Sequence, residues 1–531
     1  MLDILIINGT VIDGSGAPGY KGCVGIKDGK LVSAKGDEPA ARVIDAAGKV
    51  VCPGFIDAHS HGDYVLGTED GRIFKTVQGI TTELAGQCGG SRAPVSAERV
   101  EEMHSFFGYK QPLEEAKRWT TFERYLEYVS GLCLSANAKL NVGHRILRTA
   151  VMGLENRPAT AQELDRMCGM LREAMQAGAS GLSTGLIYVP GCYAETSEVV
   201  ELAKVIAPYN GIYFTHLRNE SFALVESLQE ALDIGRNAGV RVNISHHKAL
   251  GKDNWGKQKT TLEMIRKANE DGYHTTLDQY PFDRCMNNMT SCIPNWYFAE
   301  GTNAVSQKLR DPAFRAQLRK EMESPDTPYD NFYRNSGGWD GIYVAAAAKT
   351  PEAEGKFISE YAELVGKDPW TAYFDLMAEN NCGVSGIYCA MSQDDLFDII
   401  RSPYCVVGTD GINKSWQDKG HPRGSSTFPK AIELYVKQNK VLTLEQMIHK
   451  MTGLTAERLL VDNKGLLKEG YDADVLVLDY DNLKVHATYD DPNRKTEGID
   501  YVIVGGKVVY QDLEFTGAYP GKFVPHTGGA K

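Results

Sequence analysis

Eight short apolar runs, several of them separated by stretches of helical spacing, constrain this chain more than any other feature. They are Val51–Ile56, Ile80–Leu84, Leu140–Val142, Gly181–Leu186, Ile212–Thr215, Val240–Ser245, His274–Leu277 and Cys405–Gly408. Runs this short, bounded by polar residues, read as buried strands. Between several of them the apolar period changes to that of a helix. Glu198 to Ile206 is one such stretch. Phe222 to Ala238 carries Leu224, Val225, Leu228, Leu232 and Ile234 and is closed by Gly239. Leu262 to Asn269 carries Ile265 and Ala268 and is closed by Gly272. The two glycines stand where helix C-caps are expected. Strands alternating with helices point to parallel βα units, and eight of them suggest an α/β barrel with its site at the C-terminal strand ends.

Roughly 120 residues separate the seventh and eighth runs, far too many for one crossover. Arg284 to about Ala348, with Trp296, Tyr297, Tyr329, Phe332, Tyr333 and Trp339, reads as an insertion near the mouth of the site. Lys356 to Arg401 reads as helices, most clearly at Ala372 to Glu379. Both chain ends read as β-structure. Ile4–Ile7, Asn8-Gly9 and Thr10–Ile12 have the pattern of strand, tight turn, strand, and Val24–Ile26, Asp28-Gly29 and Leu31–Ser33 repeat it. Tyr501–Val504, Gly505-Gly506 and Lys507–Tyr510 echo that hairpin near the other end. The expected organisation is a composite β domain from residues 1–52 and 465–531, with a barrel at 53–464 that carries the insertion at about 284–348.

A chain of 531 residues is expected to build more than one core. No apolar run reaches the ~20 residues of a membrane span. Met1 to Gly9 reads as a strand rather than a signal peptide. Eleven cysteines without a framework of spacings point to reduced thiols and a cytoplasmic protein. The net charge of -12 argues against non-specific nucleic-acid binding. It permits a small anionic substrate, which needs only one or two local cations.

The residues at the strand ends carry the chemistry. The first run leads into Asp57-Ala58-His59-Ser60-His61. Strand alternation turns His59 and His61 the same way, where two imidazoles can share a metal ion. The second run leads into Gly86-Gln87-Cys88-Gly89-Gly90, the fifth into Thr215-His216-Leu217-Arg218, the sixth into Ser245-His246-His247-Lys248 and the eighth into Gly408-Thr409-Asp410-Gly411. Of 12 histidines, His59, His61, His216, His246 and His247 lie at or just past these ends, far from a random scatter. Imidazole and thiolate are good zinc ligands, and a carboxylate can bind metal or carry protons. Each residue has a plainer reading by itself. His216 suits a core histidine, Cys88 an inert buried thiol or a nucleophile, and Asp410 a helix N-cap. Only one of His246 and His247 can face the mouth, and periodicity does not choose. Together the ligand reading is the stronger.

These residues resemble the amidohydrolase superfamily of metal-dependent (β/α)8 TIM-like barrels flanked by a small β-sandwich made from both chain ends. Within it they are most similar to the D-aminoacylase family, the N-acyl-D-amino-acid deacylases. The resemblance runs nearly end to end. Its most specific parts are Gly86-Gln87-Cys88-Gly89, Gly181-Leu182-Ser183-Thr184-Gly185-Leu186-Ile187-Tyr188, Ser245-His246-His247-Lys248, Asp278-Gln279-Tyr280-Pro281-Phe282 and His421-Pro422-Arg423. Other amidohydrolases bridge two metals with a carboxylated lysine. This chain has none in a comparable place, whereas Cys88 matches the cysteine that D-aminoacylases use on the second strand.

The resemblance implies a tight Zn2+ site of Cys88, His216 and His246, and a weaker second site of His59 and His61 with Cys88 shared. It implies Asp410 as the catalytic aspartate, and Lys248 and Tyr280, assisted by Arg423, around the substrate carboxylate. The implied reaction is hydrolysis of the amide bond of a small N-acyl-D-amino acid; the net charge and the lack of a long apolar run argue separately against nucleic-acid and membrane partners. Oligomeric state, acyl group and side chain stay open. Two departures from the family fall near the pocket. Phe282-Asp283-Arg284-Cys285-Met286 replaces a small Gly/Ser-rich turn, and Gly424-Ser425-Ser426-Thr427-Phe428-Pro429 replaces an aromatic residue followed by Gly-Thr-Phe-Pro. Two rival readings are a cyclic amide hydrolase of the hydantoinase or dihydroorotase type and a non-catalytic scaffold. The missing lysine and Cys88 count against the first, and the intact ligand set against the second.

Overall fold

The computed structural model describes residues 1–109, 111–326, 328–412 and 415–528. Parallel strands carry the middle of the chain: β1 (Phe55–Asp57), β2 (Ile80–Ala85), β3 (Asn137–Leu140, continued by Val142–Gly143), β4 (Gly181–Gly185), β5 (Ile212–His216), β6 (Arg241–Ile244), β7 (Thr275–Gln279) and β8 (Cys405–Val407). β1, β2 and β3 form one sheet, and Val142–Gly143 with β4 to β8 forms a second, in chain order. Backbone hydrogen bonds join the two sheets at both margins. Ser180 donates to the Leu140 carbonyl at 2.8 Å, and Ala58 to the Val407 carbonyl at 3.1 Å. β2, β4, β5 and β7 are buried along their whole length, as expected for parallel strands covered on both faces. The covering helices include Thr196–Ile206, Leu224–Ala238 and Gln258–Glu270. Gly239 ends the second of these at φ 69°, a left-handed C-cap that favours glycine.

An apolar plug fills the space between the strands. Ile56, Leu84, Ile212, Phe214 and Val406 cluster there with Leu454, Leu459 and Val461, which follow β8 in the chain.

The expected strand Val51–Ile56 is broken in two. Val50–Pro53 pairs antiparallel with Val475–Leu478 in a different sheet, while Phe55–Asp57 pairs in parallel with β2. The break falls at Pro53-Gly54. Proline offers no N–H to a ladder, and a Cβ on Gly54 would stand 2.2 Å from Thr81 Oγ1. Only glycine lets the chain pass from one sheet to the other so closely.

That other sheet has nine strands drawn from both chain ends: Leu2–Val11, Tyr20–Lys27, Lys30–Val32, Ala40–Asp45 and Val50–Pro53, with Val475–Leu478, Ile499–Val504, Lys507–Gln511 and Glu514–Phe515. Its core includes Ile4, Ile6, Ile26, Val475, Val477 and Ile503. Asp28-Gly29 and Gly505-Gly506 make the expected tight turns, with positive φ at all four residues. Asn8-Gly9 does not. Leu2–Val11 is one strand of 10 residues, and the register against Tyr20–Lys27 shifts between Ile6 and Gly9. Asn8, at φ 64°, makes a bulge instead of a turn, held by its side-chain hydrogen bond to Asp45 at 2.9 Å.

Between β7 and β8 lies a unit with its own core. Cys285–Asn288, Ser385–Tyr388 and Ile342–Ala346 form an antiparallel sheet in that spatial order. Its core includes Phe332, Trp339, Trp370 and Tyr373. Among the described residues no helix is long and apolar enough to cross a membrane.

Candidate metal centre

Apart from His216, which is the last residue of β5, the site is built by the turns that follow the strands. β1 ends at Asp57 because Thr409 captures that carboxylate twice, through its N–H at 2.8 Å and its hydroxyl at 2.7 Å. Lys75 holds the same carboxylate at 3.1 Å and Glu83 at 2.9 Å. His59 and His61 therefore come from the turn after the strand, not from its pleat. Cys88, His246 and Asp410 also lie beyond strand ends, with φ of 52°, 36° and 47°. Positive φ is costly for these residue types and persists only where the surroundings enforce it.

These turns and the end of β5 bring five predicted ligands and Asp410 together. Cys88 Sγ lies 3.4 Å from His59 Nε2, 3.4 Å from His246 Nε2 and 3.8 Å from His216 Nδ1. Asp410 Oδ1 lies 3.2 Å from His61 Nε2 and 3.6 Å from His59 Nε2. Two overlapping groups could each hold an ion: Cys88 with His216 and His246, and Cys88 with His59, His61 and Asp410. The donor set fits zinc. Bonds of about 2.0 Å to nitrogen and 2.3 Å to sulfur in a tetrahedron separate the ligand atoms by roughly 3.5 Å. The far sides of the rings fit as well. His59 Nδ1 faces Asp278 at 3.4 Å, His216 Nε2 faces Glu220 at 3.4 Å, and His246 Nδ1 faces Lys248 Nζ at 2.8 Å and Glu220 at 3.2 Å. Carboxylates in those places orient metal-binding imidazoles.

Electrostatics favour the ligand forms of Cys88, Asp410 and His216, whereas the anions around His59, His61 and His246 outweigh burial and raise them toward their charged forms. Burial alone would push the Cys88 thiol up. The charges of His59 and His246, with hydrogen bonds from His216 and His246, hold it well below its ordinary value. Burial also opposes charge on Asp410, yet Arg423, His246, His61 and His59 hold its carboxyl well below the usual range. Burial keeps His216 below its ordinary value. Against the cost of burial, hydrogen bonds to Asp410 and Cys88 raise His61 to about 9.

The structure settles which of the adjacent histidines faces the cluster. His247 turns away and pairs with Thr261 Oγ1 at 2.7 Å, and His246 faces Cys88. Lys248 donates to Glu220 at 2.6 Å and to the His246 carbonyl at 2.8 Å. Arg423 pairs with Asp410 at 2.7 Å and lies over the Tyr280 ring at 4.9 Å. The Tyr280 hydroxyl donates to Met391 Sδ at 3.6 Å. His61, Cys88, His216, Glu220, His246, Lys248, Tyr280, Asp410 and Arg423 line one cavity of about 980 Å³, whereas His59, His247, Thr261, Asp278 and Met391 are not part of its lining.

No local sequence signal marks Glu220, and the Asp278-Gln279-Tyr280 run by itself assigns Asp278 no role. Glu220 belongs to no strand end and no motif. The unit between β7 and β8 positions it: Asp330 accepts from the Glu220 N–H at 2.7 Å and from the Ser221 hydroxyl at 2.6 Å. Asp278 accepts from the His246 N–H at 2.8 Å and from Asn243 at 2.7 Å.

The chain matches the amidohydrolase family over residues 42–213 and 403–510. It is 35% identical over 520 residues to the N-acyl-D-aspartate deacylase of Alcaligenes xylosoxydans xylosoxydans, covering 97% of this chain and 93% of that one. It superposes on a crystal structure of D-aminoacylase with a TM-score of 0.83 at 31% identity, covering 98% of this chain and 99% of that one. A crystal structure of N-acyl-D-glutamate deacylase from Bordetella bronchiseptica, complexed with zinc and a phosphonate mimic of the tetrahedral intermediate, matches with a TM-score of 0.83 at 31% identity over 99% of both chains. The chain belongs to the amidohydrolase family, in its D-aminoacylase branch.

Proposed function

We propose that this protein hydrolyses the amide bond of N-acyl-D-amino acids, releasing a carboxylate and a free D-amino acid. The observation that carries the reading is the convergence of Cys88, His59, His61, His216, His246 and Asp410 on one buried cluster. Cys88, His216 and His246 would hold the tighter zinc, because both imidazoles are backed by Glu220. His59, His61 and Cys88 would hold a weaker second one. Zinc in such a site supplies Lewis acidity toward a carbonyl oxygen and makes water a stronger acid.

The chain's own groups do the rest. Asp410, kept charged by Arg423, is placed to take a proton from the attacking water and return it to the departing nitrogen, which is a poor leaving group without it. Lys248, Tyr280 and Arg423 surround the region proposed for the substrate carboxylate and would fix the carbonyl at the cluster. Preference for the D-enantiomer rests on the relatives.

The same reading covers architecture. We assign the parallel strands to a closed (β/α)8 barrel at 53–464, supported by the hydrogen bonds that join the two parallel sheets at both margins. A β-sandwich domain from 1–52 and 465–531 is supported by the nine-stranded sheet drawn from both ends. The insertion at about 284–348 supplies two strands of the sheet that Ser385–Tyr388 completes. Eleven free thiols support a cytoplasmic setting.

The test is a set of N-acetyl and N-formyl amino acids in both enantiomers, with a hydantoin beside them, offered to zinc-loaded protein. Hydrolysis of the linear D-substrates is expected. Turnover of the cyclic amide alone, or no turnover with zinc bound, overturns the proposal.

A further inference from the structure

Among the described residues, one half-buried cation on the cavity wall has neither a carboxylate partner nor a task in the reaction described above. Arg218 is paired with Glu230, Lys248 with Glu220 and Arg423 with Asp410. Lys419 is exposed to solvent. Arg145 is half-buried, lines the cavity, and has no carboxylate partner among the described residues. Its Nε donates to the Val189 carbonyl at 3.0 Å, which fixes the direction of the side chain. Its guanidinium carbon stands 5.1 Å from the Phe107 ring centroid and 5.0 Å from that of Tyr188, so two aromatic rings hold it. Burial lowers its pKa, and the groups that act most on its charge are Tyr64, Tyr188, Cys192 and Cys88, none of them a carboxylate. A guanidinium that faces a cavity with no anion beside it is a ready partner for a carboxylate of a ligand.

Its position says which part of a substrate would supply it. Arg145 follows β3, and its backbone N–H donates to the Gly89 carbonyl beside Cys88 at 3.0 Å. Tyr188, which packs on it, places its hydroxyl 3.4 Å from His216 Nδ1. Lys248, Tyr280 and Arg423 come after β6, β7 and β8, across the cluster from β3 and β4 in the proposed barrel. An amide carbonyl at the cluster, with its amino-acid carboxylate on that far side, extends its acyl group toward Arg145.

We propose that Arg145 forms an anion subsite for the acyl group, so that the protein acts on N-acyl-D-amino acids whose acyl chain ends in a second carboxylate, of the N-succinyl or N-glutaryl kind. This rests on the hydrolytic reading above. Water adds its oxygen to the acyl carbon, the C–N bond breaks, the nitrogen gains a proton, and a dicarboxylate leaves with the free amino acid.

The experiment compares N-succinyl-D-alanine, N-acetyl-D-alanine and N-acetyl-D-glutamate on zinc-loaded protein, in the wild type, Arg145→Met and Arg145→Lys. A calorimetric Kd for succinate against butyrate gives a readout independent of turnover. In the wild type N-succinyl-D-alanine is expected to be preferred. Arg145→Met should cut that preference about ten- to a hundred-fold, mainly through KM, and weaken succinate binding to match. Arg145→Lys should restore part of both. A merely structural Arg145 would depress all three substrates equally, which overturns the subsite. A preference for N-acetyl-D-glutamate that Arg145→Met abolishes would move the second carboxylate to the amino-acid side chain and overturn the acyl assignment. Turnover of N-acetyl-D-alanine with no preference for either dianion overturns this inference and leaves the function standing. No turnover of any of the three removes both.

Discussion

The same parallel strands lead to a polar cluster beyond their C-terminal ends and line an apolar plug further back. Phe214 belongs to the plug and His216, two residues on, to the cluster. Leu84 and Cys88 divide in the same way, as do Val406 and Asp410. The two regions are held by different physics. In the cluster, each ring or carboxylate is placed by a charged neighbour, and removing one partner leaves another buried and unpaired. In the plug, stability comes from volume, through contacts that no single residue dominates. Chemistry and stability are therefore expected to respond separately to substitution, even at positions a few residues apart.

The largest effect that would sharpen this contrast is at Cys88. Cys88→Ala removes the ligand common to both proposed sites, so zinc content by elemental analysis should fall to near zero and hydrolysis should vanish, while the fold melts cooperatively. A variant that retains full zinc and activity would break the assignment. Asp410→Asn comes next. It should keep zinc and lower kcat by ~10²–10⁴-fold, the usual contribution of a positioned acid and base. Loss of zinc in place of turnover would make Asp410 a ligand only.

The plug should behave in the opposite sense. Leu459 is fully buried there, and Leu459→Ala should cost about 2–5 kcal/mol in denaturant unfolding with zinc stoichiometry preserved. Loss of zinc in parallel with stability would show that the two regions are not separable.

Lys139 gives a pH-dependent test away from the cluster. It lies on β3, almost fully buried, and burial lowers its pKa from 10.5 to about 8, with Asp462 opposing the shift. Between about pH 8 and 10.5 the unfolded chain binds the proton and the folded chain does not. Stability should therefore rise with pH across that window and carry the full penalty below it. Lys139→Met should abolish that rise and add about 3 kcal/mol near pH 7, read from urea midpoints at several pH values. An equal pH profile in both proteins would reject a neutral buried lysine.

The smallest effect concerns the support behind the cluster. Glu220→Gln keeps shape but weakens the hold on His216 and His246, and should reduce zinc affinity about 10–100-fold in competition with a chelator. The second site, where His59 is backed by Asp278, should be little changed. Equal weakening of both would mean that Glu220 supports the cluster as a whole.

Short-range signals by themselves determined a large part of this protein. The alternation of strands and helices, the tight turns at Asp28-Gly29 and Gly505-Gly506, the cap at Gly239 and the residues just past each strand end are all local properties of the backbone and its side chains. That is why a candidate ligand set could be named before the fold. Tertiary structure decided what locality leaves open. The run around Pro53-Gly54 divides between two sheets because Thr81 crowds Gly54, and Asn8-Gly9 is a bulge because Tyr20–Lys27 pairs along both sides of it and Asp45 holds the Asn8 side chain. His246 faces the cluster because Thr261 takes His247. Glu220, Asp278 and Arg145 gained their places from partners far along the chain, as Cys88 did from His246, 158 residues away. Such choices depend on which groups meet in space. The chain settles that only when it buries them, since an unpaired charge or an overfilled gap then costs as much as the net stability of a domain allows.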